Sequence, residues 1–345
     1  MPLGTAMAGE LAEGPEVIRC VLDGVPAWRE RVRALVDPLP AGVAITARGS
    51  SDHASAYGRY LLEQALRVPT WSTAPSLVTR FHADVDMRGV LAISVSQSGR
   101  TPEIVTATRR YAELGAATVA ITNDPGSDLA GVAGLTIPLH AGQEVAVPAT
   151  KTFTATLAVF AALGQVMAGD GRFALDGESV VRAAEDAVTD PGGVDEAVAQ
   201  LAGDDVIVHL GRGYLLPLAT ETALKITETC ATANLSWSTV DFRHGPYALS
   251  RRPGLAVVVH HATGAVTADA QSIVADLVGA GARVVTVGDR LPGSIAHVQV
   301  PGALPEHAQP LVHAIRVQQL ALGLARARHA DPDHPSGLHK VTPTS

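Results

Sequence analysis

Residues 90–115 read VLAISVSQSGRTPEIVTATRRYAELG. The segment VLAISVS (90–96) has the apolar, β-branched character of a buried strand. IVTATRRYAELG (104–115) reads as a helix that ends at Gly115. Between them, Ser94, Ser96, Gln97, Ser98 and Thr101 crowd a single strand-to-helix turn. Thr101 suits a helix cap, Pro102 the first helical position and Glu103 the first turn. A helix start offers free N–H groups and the positive end of its dipole, which favour an anion. Hydroxyls and an amide at the same place can donate to phosphate oxygens without adding charge. The same residues also read as a polar turn whose serines cap backbone groups. A companion stretch, ITARGSSDHASAYG (45–58), repeats the design with Gly49, Ser50 and Ser51 after another strand. A second such turn at the end of a neighbouring strand strengthens the phosphate reading; the other reading is a helix cap by Ser50 or Ser51.

Outward from that turn, short apolar strands alternate with helical patterns. Strands are expected at 42–47, 90–96, 117–122 and 134–139, then at 205–210, 255–261, 283–288 and 297–300. Such alternation predicts α/β architecture with parallel sheets covered on both faces. The halves repeat: Val43 to Val206, Val90 to Leu255, Thr118 to Val284 and Leu135 to His297 are separated by 163, 165, 166 and 162 positions. The near-constant offset predicts two copies of one α/β unit, over 38–165 and 198–328. Residues 1–37 read as a helical arm and 329–345 as an extended tail rich in Pro, His and Gly. DGES (176–179) and TDPGG (189–193) read as loop in the linker.

The 345 residues are 47% hydrophobic and 17% charged, enough apolar material for two cores. A net charge of −8 argues against nucleic acid as a partner. No signal peptide is read at the N-terminus. TATLAVFAALGQVMAG (154–169) reads as a buried helix too short to span a bilayer. Cys20 and Cys230 form no metal or redox motif, and no histidine pair shows ligand spacing, so no metal is expected.

The titratable candidates lie in the second half. LATETALKITETC (218–230) places Glu221, Lys225 and Glu228 on one helix face. By spacing alone an i,i+4 ion pair is the simpler reading. His244, in DFRHGPYAL (241–249), sits at a Gly-Pro turn. It reads either as an acid/base near neutrality or as a turn histidine bonded to backbone. Among 26 basic residues only Lys151, Lys225 and Lys340 are lysines. Where arginine serves as the general cation, a retained lysine points to a need for an amine; chance is the other reading of three such positions.

These stretches together resemble the SIS (sugar isomerase) domain family, closely the isomerase half of glucosamine-6-phosphate synthase and, more closely, the SIS-type glucosamine-6-phosphate deaminases. SQSGRT resembles that family's SQSGxT phosphate loop, and ARGSSDHA its CGTSxHA turn. EVAVPATKTFT, ETALKITE, FRHGP and GLHKVTPTS resemble its TKxFT segment, ExALKxKE helix, KHGP loop and C-terminal lysine tail. ELAEGPEVI resembles its EIxEQPxxI arm. The resemblance spans nearly the whole chain and implies two tandem flavodoxin-like SIS domains. It also implies a homodimer with shared sites and a reaction that needs no cofactor, while Cys20 and Cys230, expected to be reduced, point to a cytoplasmic protein.

By position, Ser51, Ser96, Gln97, Ser98 and Thr101 would hold a sugar 6-phosphate, and Ser50 and Val147 would line the sugar site. His244 would assist ring opening, reaching the neighbouring subunit's site. Glu228 would move the proton between C1 and C2, with Lys225 and Glu221 positioning it. Lys340 would meet the open-chain carbonyl. TAPSLVTRF (73–81), TETC and FRHGP lean toward SIS-type glucosamine-6-phosphate deaminases. ATANLSWS departs from the HAEAFS of both branches at Ala233 and Leu235, which bears on the sugar recognised. The chain begins MPLG and Cys20 lies in the arm, so no glutaminase chemistry is expected. The implied reaction converts D-glucosamine 6-phosphate to fructose 6-phosphate and ammonia. Alternatives are a galactosamine-6-phosphate enzyme, a fructosamine-phosphate deglycase, an aldose–ketose isomerase, and a sensor without turnover.

Overall fold

The computed structural model describes residues 2–340; residues 341–345 of the expected tail lie outside them. The chain divides into two compact units. One comprises residues 16–144 and 151–177; the other comprises 2–15, 145–150 and 178–340. They are called here the first and the second unit. The chain opens with α1 (Thr5–Ala12) and α2 (Gly14–Leu35).

The first unit is built on a five-stranded sheet: β1 (Gly42–Thr46), β2 (Thr70–Ser72), β3 (Val90–Val95), β4 (Ala117–Thr122) and β5 (Leu135–Pro138). The order is β2-β1-β3-β4-β5 and every pairing is parallel. All residues of β1 and β3 are buried, as expected of strands covered on both faces. The connecting helices are α3 (Ser50–Leu66), α4 (Ser76–Thr79), α5 (Pro102–Glu113) and α6 (Asp128–Val132). The unit closes with α7 (Lys151–Ala168), which packs on α3. Gly58 permits that approach: a Cβ there would lie 2.2 Å from the Phe160 ring. The helix expected at 154–169 thus begins earlier. Its 18 residues are long and apolar enough by composition to cross a membrane, contrary to the expectation from sequence. Sixteen of them are buried, so it serves here as a core helix.

The second unit carries β6 (Val206–Gly211), β7 (Ala233–Ser238), β8 (Ala256–His260), β9 (Arg283–Val287) and β10 (Ala296–Val298). They are again all parallel, in the order β7-β6-β8-β9-β10. Its helices are α8 (Gly177–Thr189), α9 (Val194–Leu201), α10 (Leu216–Cys230), α11 (Thr239–Arg243), α12 (Thr267–Gly279) and α13 (Gln309–Ala327). Strand for strand, this is the order of the first sheet.

The eight strands expected from sequence are present, with ends shifted by a residue or two. Two further strands, β2 and β7, were not expected. Both sit at a sheet edge beside the first strand of their sheet, and both are partly exposed. Edge strands lack the continuous apolar run that marks a central parallel strand. The DGES stretch is also not a loop: Gly177, Glu178 and Ser179 start α8.

Candidate active site

In the first unit, β1 and β3 are neighbours, with Thr46 opposite Ser94. The sheet order reverses direction between them, so the crevice outside their carboxyl ends is the topological switch point where α/β sheets bind ligands. Both hydroxyl-rich turns lie there. After β3, the chain turns at Gly99 (φ +62°). The Gly99 N–H donates to Ser96 Oγ over 3.2 Å, and Ser96 Oγ lies 3.2 Å from Thr101 Oγ1. The Arg100 N–H donates to Ser98 Oγ over 3.2 Å. A Cβ on Gly99 would stand 2.0 Å from Ser127 Oγ, so no larger residue fits. Gln97 takes part through its backbone: its carbonyl accepts from the Asn123 N–H over 3.0 Å.

The capping expected of the serines and threonine differs in detail. Thr101 stands at the N-cap of α5, but its side chain makes no cap hydrogen bond; its hydroxyl turns to Ser96 instead. After β1, the cap is Gly49 (φ +58°, ψ −137°), and Ser50 and Ser51 are the first helical residues of α3. Neither serine therefore caps that helix with its side chain. Both are half-buried, and a hydroxyl in the first turn of a helix stands beside the free N–H groups. Arg48 reaches from the β1 turn to Glu103 in the first turn of α5, at 2.8 Å. That ion pair joins the two sides of the switch point and was not anticipated from sequence.

In the second unit, α10 carries Glu221, Lys225 and Glu228. Lys225 is fully buried, with Nζ 3.5 Å from Glu221 Oε1 and hydrogen-bonded to Glu228 Oε2. The spacing had an ordinary reading as a surface ion pair. Burial excludes it, because an ammonium out of water is tolerated only with close anionic partners. The Lys225 and Glu221 side chains are each 1% exposed, whereas that of Glu228 is 24% exposed. Of this group, Glu228 is the one open to a ligand.

His244 follows α11 and is exposed. Its loop is held from below by Phe242, which is fully buried with ring centroids 5.8 Å from Trp237 and 5.9 Å from Tyr247. The backbone N–H of His244 donates to the Asp241 carbonyl over 3.0 Å. No hydrogen bond joins His244 to Glu228 or Lys340 among the described residues.

Lys340 Nζ donates to the Ala146 carbonyl over 2.6 Å, which sets it beside half-buried Val147. The 145–150 segment is itself clamped by Glu10 of α1, a carboxylate 5% exposed. Glu10 accepts from the N–H of Val145 and, over 3.1 Å, from that of Ala146; it also accepts from Thr150 Oγ1 over 2.9 Å. Sequence reasoning placed Glu10 in the arm but gave it no role. Its partners lie more than 130 positions away, and no local pattern encodes such a contact. His209, His260 and His313 are fully buried in the same unit. Among the described residues no group of three or more ligand-type side chains could hold a metal.

Comparison with known proteins gives this arrangement a family. The family model for the SIS domain matches residues 42–165, which contain the first sheet and both hydroxyl turns. A glutamine–fructose-6-phosphate aminotransferase (isomerizing) of Bradyrhizobium diazoefficiens is 31% identical over 97% of this chain; the chain spans 58% of that enzyme's length. A Silicibacter pomeroyi protein described as a phosphosugar isomerase is 32% identical in its crystal structure. The match covers 95% of this chain and all of that one, with a TM-score of 0.85. A glucosamine-6-phosphate deaminase of Thermotoga maritima shares the fold, at 23% identity and a TM-score of 0.80, over 99% of this chain and all of that one. The chain belongs to the SIS, or sugar isomerase, family.

Proposed function

We propose that this chain is an aminosugar-phosphate deaminase/isomerase acting on D-glucosamine 6-phosphate. Ser51, Ser96, Gln97, Ser98 and Thr101 bind the 6-phosphate, and Ser50 and Val147 line the sugar site. His244 assists ring opening, supplied by the neighbouring subunit of a homodimer. In the open chain, Glu228 takes the proton from C2, giving an enolamine across C1 and C2. Return of that proton to C1 leaves an imine at C2. Water adds to the imine, and ammonia leaves with fructose 6-phosphate. Lys225 and Glu221 fix the Glu228 carboxylate, and Lys340 meets the C1 carbonyl. The substrate's own carbonyl accepts the electron pair, so the reaction calls for no cofactor. In this reading both sheets are copies of the SIS domain, as their common strand order supports, and the enzyme is cytoplasmic.

The observation that carries the reading is the exposure of Glu228 beside an otherwise buried Lys225–Glu221 pair. A carboxylate held in place by a neighbouring ammonium and open on one side is what a proton shuttle between adjacent carbons requires. A second reading, aldose–ketose isomerisation without loss of nitrogen, uses the same Glu228. It is favoured by the likeness over the whole chain to the Silicibacter pomeroyi protein.

The test is ammonia release from glucosamine 6-phosphate, with galactosamine 6-phosphate in parallel and Glu228→Gln as control. We expect release from the first sugar and a loss of at least about a thousandfold in kcat for the variant, as befits removal of the general base. Saturable sugar-phosphate binding without ammonia from either sugar would sink the deaminase reading and leave the isomerase.

A further inference from the structure

The described part of the expected extended tail is instead a series of turns, with the N–H of His334 donating to the Asp331 carbonyl and that of Leu338 to the Pro335 carbonyl. At its end the Lys340 ammonium is hydrogen-bonded. The chain of contacts that fixes it runs through α1. At the N-terminus of that helix, the Asp333 carboxylate accepts from the N–H of Ala6 over 2.8 Å and from that of Met7 over 2.9 Å. Asp331 accepts from the Gly4 N–H over 3.2 Å. Further along the same helix, Glu10 holds Val145, Ala146 and Thr150. The Ala146 carbonyl then accepts from Lys340 Nζ. The tail is thus tied to α1 twice, directly through its aspartates and indirectly through Glu10 and the 145–150 segment. From Met7 to Glu10 the helix advances only about 4.5 Å. The six residues between Asp333 and Lys340 therefore close a loop whose two ends are set by one rigid element.

We infer that α1 is the positioning element for Lys340, with Glu10 and Asp333 as positioning residues. Glu10 acts through the 145–150 backbone. Its carboxylate fixes the Ala146 peptide, and that peptide presents the carbonyl that orients the lysine amine. Asp333 acts by capping α1, which gives the tail its second fixed point. Neither residue touches a reacting atom. The inference rests on the proposed role of Lys340 only for its effect on turnover, not for the geometry.

The three lysines make the test self-calibrating. Lys151 and Lys225 are buried, at 3% and 0% exposure, so their reactivity reports general unfolding. Pulse acylation with an N-hydroxysuccinimide acetate, read by peptide mass spectrometry, measures each amine separately. In Glu10→Ala we expect Lys340 to acylate about tenfold faster or more while Lys151 and Lys225 stay protected, as local opening requires. Asp333→Ala moves Lys340 the same way. Glu10→Gln gives a smaller rise, because its amide oxygen still accepts from Val145 and Ala146. An unchanged Lys340 rate in folded variants overturns the inference, and so does a parallel rise at all three lysines. Where Glu10→Ala does not fold, Glu10→Gln and Asp333→Ala decide by the same criterion.

Kinetics separates this inference from the proposed reaction. With an active wild type, Asp333→Ala lowers kcat at near-constant KM, since the phosphate-binding turns and the 145–150 segment with Val147 are untouched, whereas Glu10→Ala, which also frees that segment, lowers kcat and raises KM. A selective rise in Lys340 labelling in a protein that releases no ammonia leaves the positioning in place and removes the deaminase reading.

Discussion

Gly99 shows how one residue decides whether the hydroxyl-rich turn after β3 can exist. Its φ of +62° is open to glycine at little cost, and Ser127 Oγ fills the space where a side chain would go. Gly99→Ala should weaken binding of inorganic phosphate and glucosamine 6-phosphate by about tenfold or more, equivalent to roughly 1.4 kcal/mol, measured by calorimetric titration. Equal affinities in a folded variant would remove the turn from the site. Lys225 makes the complementary case. Its replacement by Met leaves Glu221 buried without its ammonium, so Lys225→Met should cost about 3–5 kcal/mol in urea unfolding; a cost below about 1 kcal/mol would place this group at the surface. At this scale the sequence was informative about residue types: the serines, Glu228 and the three lysines stand out by composition and spacing. It was silent about Glu10, Asp333 and the Arg48–Glu103 pair, whose meaning lies in contacts with distant parts of the chain.

Elements were legible in proportion to their burial. The central strands β1, β3, β4, β6, β8 and β9 are runs of Val, Ile, Leu and Ala, and such runs announce themselves. The edge strands do not: TWS (70–72) is three residues long, and ANLSWS (233–238) has no fully buried position. Tertiary pairing with β1 and β6, more than local preference, makes them strands. Helix starts were misjudged where glycine replaced a side-chain cap, as at Gly49. The pairing of α3 with α7 hides in the same way in one glycine. Gly58→Ala would push a methyl to 2.2 Å from the Phe160 ring, and neither a bulky aromatic nor a helix backbone yields without strain. Overpacking of this kind costs about 1–3 kcal/mol, which outweighs the alanine's better helix propensity of about 1 kcal/mol. Thermal unfolding of Gly58→Ala should show a lower Tm; a higher one would mean that α3 and α7 can separate freely.

At the scale of the whole molecule, the near-constant offset read in sequence is accompanied by an identical strand order in the two sheets. The two units carry different chemistry: hydroxyl turns at the ends of β1 and β3 in the first, and in the second a core that holds histidines. His209 on β6, His260 on β8 and His313 on α13 are each at most 1% exposed. Burial pushes His209 and His313 down to about 4 and His260 well below its usual 6.5. For His313 burial prevails even though both ring nitrogens lie 3.2 Å from carbonyl oxygens, which favour the cation. These histidines are neutral in the folded protein and titrate freely when it unfolds. Between pH 6.5 and 4 the unfolded chain therefore binds more protons, so stability is complete above pH 6.5 and is lost as the pH falls toward 4. Each of His209 and His313 removes up to about 1.4 kcal/mol per pH unit across that window, about 3 kcal/mol in all. Urea midpoints at pH 7.5, 6.0 and 5.0 should fall in that order, and His313→Gln should flatten the decline because its amide does not titrate. Midpoints that hold steady from pH 7.5 to 5.0 would mean that these rings take up protons in the folded state, and with them the second unit's core would have to admit charge that its packing now excludes.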